Sequence, residues 1–204
     1  MLRTAVQNLM LPLGRALARA GITPNMVTFV GFAVVAVACW FIGTGQHLTA
    51  GLILTVGGFL DAVDGAVARG SGKATSFGAF FDSTLDRLSD ASMLGAVVWF
   101  FVSSPEGSAI PDWSSPWGTS ALAALLAGVA LVSGFMTSYI RARAEGLGYE
   151  CQVGIAERTE RVVIVAAGLI LGLLFPAVLI LAVLSTFTAG QRFVHVWKQS
   201  ASSR

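Results

Sequence analysis

The sequence predicts an all-α, polytopic membrane protein in which six transmembrane helices follow an N-terminal interfacial amphipathic helix. Three observations carry that expectation. Hydrophobic residues make up 55% of the 204-residue chain and charged residues only 12%, about half of the roughly 25% usual in soluble domains. Mean hydropathy is +0.75, concentrated in runs that reach the ~20 apolar residues a helix needs to cross a hydrocarbon core. All thirteen Lys and Arg residues fall on one side of the spans so defined.

The elements follow in chain order. Over residues 2–20, Leu2, Val6, Leu9, Leu13 and Leu17 recur at spacings of three or four, with Arg3, Arg15 and Arg19 off the stripe. That is the pattern of an amphipathic helix lying in the interface, kinked or divided at Pro12. It either leads into the first span or helps guide lipid. Thr23-Pro24-Asn25 reads as a helix start. Spans are expected over 25–44, 48–69, 79–103, 118–141, 160–175 and 177–195. The connections at 43–47, 103–118 and 174–177 carry no Lys or Arg, so the positive-inside rule places both termini in the cytoplasm.

Trp113 and Trp117, in the outward loop, suit the aromatic belt of the membrane surface. Gly168 and Gly172 form a small-xxx-small pair that serves packing within the chain or dimerisation. Cys39 and Cys151 have no metal-type spacing, and the first strong apolar run, near Val27, is too long for a signal-peptide core. The chain reads as one membrane domain over 1–204, with a juxtamembrane helix at 1–21 and a six-helix bundle at 22–199. Its expected place is the cell (inner or plasma) membrane, and no nucleic-acid partner is expected.

Chemistry gathers in one stretch. Asp61 and Asp64 are three apart, and Asp82 and Asp86 four apart with Gly78 and Asp90 in line, so each pair shares a helix face. The two helices are consecutive and joined by a short polar turn, so they are expected to be antiparallel neighbours with their four carboxylates converging near the cytoplasmic end. An Asp at bilayer depth costs about 2.5–3.5 kcal/mol on the insertion scale. Four unpaired ones would cost roughly 10 kcal/mol, comparable to the stability of a whole domain. Arg69 and Arg87 cannot neutralise four acids between them, whereas divalent cations can, and oxygen-only ligands suit Mg²⁺ or Mn²⁺. Two ions would permit the two-metal arrangement used in displacement at phosphorus. Gly65, Ala68 and Gly78 are small where a ligand would approach the backbone.

The run Asp61-x2-Asp64-Gly65-x2-Ala68-Arg69-x8-Gly78-x3-Asp82-x3-Asp86 resembles the signature of the CDP-alcohol phosphotransferases at all eight fixed positions, a match expected by chance at a given start roughly once in 10¹⁰. The resemblance implies transfer of a phosphatidyl-type group from a CDP-linked donor to an alcohol, with release of CMP. It assigns the metal ions to Asp61, Asp64, Asp82 and Asp86, and makes Asp86 also the general base. It places Asp64, Gly65, Ala68, Arg69 and Gly78 around CDP, with Lys73 and Thr75 of the inter-helix turn adding contacts. It also implies a homodimer.

The acceptor is read from Ser138-Tyr-Ile-Arg141-Ala-Arg143-Ala-Glu145, Glu157-Arg158-Thr-Glu160-Arg161 and Gln191-Arg192. Arg158 is attributed to pairing with Glu157. Arg141, Arg161 and Arg192 come from three spans and can converge on one mouth as a phosphate site. This region is similar to that of the actinobacterial phosphatidylinositol-phosphate synthases, which implies CDP-diacylglycerol as donor, inositol 1-phosphate as acceptor, and Arg141, Arg143, Arg161 and Arg192 as its phosphate ligands. Glycerol 3-phosphate is the competing acceptor. A cation transporter is the alternative from another class, but its path would need acids through the membrane's depth, and the outer halves of the spans hold none.

Overall fold

Glycine punctuates this chain. Gly21, Gly45, Gly148 and Gly172 all take positive φ, from 70° to 85°, and each follows a helix. In every case the glycine N–H bonds back three residues and the next N–H five residues, as in Gly172 to Leu169 and Leu173 to Gly168. This is the Schellman closure, which satisfies the last carbonyls of a helix and needs a residue that tolerates the left-handed region. The other ends are marked as expected: Thr23 caps a helix by accepting from the Met26 N–H at 3.3 Å, with Pro24 in its first turn.

The computed structural model describes residues 12–71, 75–103, 120–155 and 158–202, and the regular structure among them is entirely helical. The helices are α1 (12–19), α2 (Pro24–Gly43), α3 (His47–Ser71), α4 (Ser76–Ser103), α5 (Ser120–Gly146), α6 (Arg158–Ile170) and α7 (Leu174–Ser202). Among the described residues four segments are long and apolar enough to cross a membrane: Pro24–Gly43, His47–Ala68, Ala121–Gly146 and Leu174–Ala201. Helix α4 has the length, at 28 residues, but carries Asp82, Asp86 and Arg87 in its first half and Asp90 just past its middle. Helix α6 has 13 residues, about 20 Å at the helical rise, against a hydrocarbon core of ~30 Å. The fifth span expected over 160–175 is therefore cut short at Ile170, because the Gly172 closure ends it and α7 begins at Leu174.

Helices α2 to α7 form a closed ring in the order α2, α3, α6, α7, α5, α4, with α4 and α6 also meeting across it. Small buried residues, including Ala38, Ala50, Ala123, Ala127, Ala130 and Ala166, let the helices approach. Large apolar side chains such as Trp40, Trp99, Phe193 and Trp197 face outward and are exposed. The Gly168–Gly172 pair divides into two local roles. A Cβ on Gly168 would lie 2.4 Å from that of Ala177, so it seats the α6–α7 turn, and Gly172 belongs to the turn itself.

One expectation is corrected. Consecutive α3 and α4 do not pack on one another among the described residues. Helix α2 packs on both and α6 reaches both, so the aspartate-bearing helices stand apart and leave a cleft. Helix α1 braces this end of the bundle. A Cβ on Gly14 would fall 2.4 Å from the Ala66 carbonyl oxygen, and Leu17 and Ala18 pack against Val27, Val63 and Val67. Leu2, Val6 and Leu9 of the amphipathic stripe, Trp113, Trp117, Lys73 and Glu157 lie outside the described residues, as does the side chain of Arg69.

Candidate active site

The i,i+3 spacing on α3 and the i,i+4 spacing on α4 bring their carboxylates into the cleft. One oxygen each from Asp61, Asp64 and Asp82 all lie within 4.8 Å of one another. Thr28 of α2 donates its hydroxyl to Asp64 Oδ2 at 2.9 Å. Asp82 Oδ1 is buried with no hydrogen-bond partner. A buried, unpartnered carboxylate oxygen inside a group of three carboxylates is what a hard divalent cation satisfies, so these residues fit Mg²⁺ or Mn²⁺. Asp86 stands outside that group: its Oδ1 lies 2.8 Å from Arg158 Nη1 and its Oδ2 3.7 Å from Arg87 Nη1.

Three cavities meet at the aspartates. The first, about 200 Å³, is lined by Pro24, Asn25, Thr28, Asp64, Gly65, Ala68, Thr75, Gly78, Ala79 and Asp82. It gathers five of the seven residues expected around the nucleotide, the exceptions being Lys73 and Arg69, whose side chains are undescribed. Gly65, Ala68, Gly78 and Ala79 keep part of its wall small, and Thr75 Oγ1 accepts from the Gly78 N–H at 2.9 Å to start α4.

The second, about 210 Å³, holds Asp61, Asp86, Arg87, Thr137, Ser138, Arg141, Arg158, Thr159, Arg161 and Arg192. Three of the four arginines expected to bind the acceptor are thus brought together. Arg143 is not: it is exposed and outside this lining, because on α5 it points two residues, and so about 200°, away from Arg141. The third cavity is apolar, about 360 Å³, running between α3 and α6 past Leu54, Phe59, Met93, Val162 and Ile170 to Asp61 and Arg158.

The buried charges are held by specific partners. Arg192, 3% exposed, donates Nε to the Val153 carbonyl and Nη1 to the Thr137 carbonyl, each at 2.7 Å. Arg161, equally buried, places Nη2 3.1 Å from Asp90 Oδ2. Gly134 makes room for it, since a Cβ there would lie 2.6 Å from Arg161 Nη1. Arg141 pairs with Glu145 at 2.8 Å near the mouth.

Sequence reasoning missed Arg158, Thr28 and the role of Asp90. Among the described residues the Arg158 guanidinium is ion-paired to Asp61 and Asp86, on two other helices. Its three-residue spacing from Arg161 was the available signal, since it puts both on one face of α6.

Residues 21–189 match the family model described as CDP-alcohol phosphatidyltransferase. The archaetidylinositol phosphate synthase of Methanothermobacter thermautotrophicus is 40% identical over 187 residues, covering 89% of this chain and 86% of that protein. The phosphatidylinositol phosphate synthase of Mycobacteroides abscessus is 37% identical over 189 residues, covering 89% and 80%. Among solved structures, the Mycobacterium tuberculosis phosphatidylinositol phosphate synthase with CDP-DAG bound superposes with a TM-score of 0.79 at 29% identity, covering 93% of this chain and 94% of that one. The same enzyme in complex with manganese and citrate gives 0.80 at 29% identity, covering 92% and 88%.

Proposed function

The chain belongs to the CDP-alcohol phosphatidyltransferase family, and from that premise we propose that it transfers the phosphatidyl group of CDP-diacylglycerol to inositol 1-phosphate, giving phosphatidylinositol phosphate and CMP. The observation that carries this reading is the junction of three chemically different cavities on one carboxylate cluster. A transferase of this kind must hold a nucleotide, a lipid and a polar acceptor around one phosphorus.

Asp64, Gly65, Ala68, Thr75 and Gly78, with Arg69 and Lys73, hold the CDP moiety. The apolar cavity between α3 and α6 takes a lipid chain. Arg141, Arg161 and Arg192 hold the acceptor's phosphate through bidentate contacts. Asp61, Asp64 and Asp82 hold divalent cations, joined by Asp86, and two ions would stabilise charge on the attacking and leaving oxygens. The acceptor hydroxyl attacks the phosphorus that carries the lipid, its proton passes to Asp86, and the bond to the bridging oxygen breaks so that CMP leaves with that oxygen. Asp86 lines the arginine cavity, the place a base must occupy to reach an acceptor held there. The two relatives' names differ in their lipid and share an inositol phosphate head group, which favours this acceptor over glycerol 3-phosphate.

The working unit is a single domain over 1–204, with α4 and α6 completing six spans, the preceding residues forming an interfacial helix, and the termini and site facing the cytoplasm. It is read as a homodimer. The test is CMP release by the purified chain with CDP-diacylglycerol and Mg²⁺ or Mn²⁺, offering inositol 1-phosphate, glycerol 3-phosphate, inositol and serine in parallel. Release with inositol 1-phosphate alone supports the reading. Release with glycerol 3-phosphate alone keeps the family and replaces the acceptor.

A further inference from the structure

Arg158 occupies an unusual place for a residue that opens a helix. From the first position of α6 its Nη1 is ion-paired to Asp61 Oδ1 on α3 and lies 2.8 Å from Asp86 Oδ1 on α4, while Nε is 3.8 Å from Asp90 Oδ1. The side chain is 18% exposed. One guanidinium therefore does in this molecule what a cation between α3 and α4 would do, and it engages the carboxylate, Asp86, that stands apart from the group of three. Asp64 is satisfied by Thr28 instead, and Asp82 Oδ1 has no hydrogen-bond partner.

A divalent ion ligated by Asp61 and a guanidinium paired to the same carboxylate would be like charges a few ångströms apart in a partly buried site, where repulsion is poorly screened. They compete for Asp61. Arg158 has somewhere else to go, because it already lines the cavity that contains Arg141, Arg161 and Arg192. Turning away from the aspartates would set it beside Arg141, Arg161 and Arg192, where a bound phosphate gains from one more guanidinium.

We propose that Arg158 is the resident counter-ion of the metal-free cluster, and that loading the aspartates with divalent ions displaces its guanidinium into the arginine cavity, where it becomes a further ligand of the acceptor's phosphate. This rests on the metal and acceptor roles proposed above. Metal loading thus frees Asp86 and completes the acceptor site in one movement, so the acceptor binds well only after the metal. By linkage, metal and acceptor each strengthen the other's binding by the same factor.

The test measures Mn²⁺ binding directly, from the electron paramagnetic resonance of free Mn²⁺, on the detergent-purified full chain and its Arg158→Gln and Arg158→Lys variants. Unfolding temperature is read in parallel with and without Mn²⁺. Arg158→Gln is expected to bind Mn²⁺ at least about fivefold more tightly and to unfold at a lower temperature than wild type when metal-free. Mn²⁺ should strengthen inositol 1-phosphate binding less in that variant than in wild type. Arg158→Lys, which keeps a cation, should stay near wild-type Mn²⁺ affinity, and it carries the comparison if the Gln variant does not fold: tighter binding by several fold in the Lys variant would then overturn the proposal. Equal or weaker Mn²⁺ binding by Arg158→Gln, with wild type binding Mn²⁺ and releasing CMP, overturns the counter-ion role and leaves the transferase reading standing. Wild type that binds no Mn²⁺ overturns both.

Discussion

Asp86 and Arg143 show how differently single residues were legible. The aspartate pattern is local: spacings of three and four on a helix fix which side chains share a face, while the meeting of the two faces depends on where α2 and α6 hold α3 and α4. Asp86→Asn keeps the side chain's size and removes the proposed base, so CMP release should fall by about 10²–10⁴-fold with an unchanged size-exclusion profile. Arg143 belonged to the expected acceptor set only through a motif, and its side chain is exposed away from the cavity. Steady-state kinetics with inositol 1-phosphate should therefore give a larger rise in acceptor KM for Arg141→Gln and Arg161→Gln than for Arg143→Gln, with KM for the CDP-linked donor little changed in all three. Arg158 was illegible for the opposite reason. Its partners lie up to 97 residues away in sequence, while the adjacent Glu157 offered a local explanation that was sufficient on its face.

At the level of helices, ends were readable and neighbours were not. The Thr23-Pro24 start and the glycine stops follow from backbone chemistry confined to a few residues. Adjacency of α3 and α4 was inferred from the short turn between them, yet the turn fixes only how far apart two helix ends can be. Helix α2, packing on both, decides how far apart the shafts stand. Glycine contacts between helices then set the site's fine geometry. A side chain at Gly134 would press on the Arg161 guanidinium from α5, so Gly134→Val should cost roughly 1–3 kcal/mol in stability and displace Arg161 from its place beside Asp90. A thermal-unfolding series paired with acceptor titrations checks this: acceptor KM should rise while donor KM holds.

For the whole molecule, the one-sided distribution of basic residues anticipated an end rich in charge, and the nucleotide, arginine and apolar cavities touch the aspartates there. The expected orientation can be read by labelling. In a chain with Cys39 and Cys151 replaced by alanine, Thr44→Cys should react with a membrane-impermeant maleimide on intact cells, whereas Gln152→Cys should react only after permeabilisation. Both positions are exposed: Thr44 closes the end of α2 away from Thr28 and Asp64, whereas Gln152 lies in the α5–α6 connection next to Val153, which accepts from Arg192. Labelling in the reverse pattern would invert the topology and move the site to the outer face. Helix lengths were less legible than helix positions, because hydropathy registers composition and cannot register that α6 stops after 13 residues.

The apolar cavity between α3 and α6 has exposed walls at Phe59, 49%, and Val163, 59%, so it opens sideways from the bundle. A donor entering there would arrive by diffusion in two dimensions, and its lipid product would leave the same way without crossing water. The concentration that governs such an enzyme is then the donor's mole fraction among surrounding lipids. Diluting CDP-diacylglycerol with inert phospholipid at constant bulk amount should slow turnover in proportion, and raising the acceptor in the aqueous phase should not restore it.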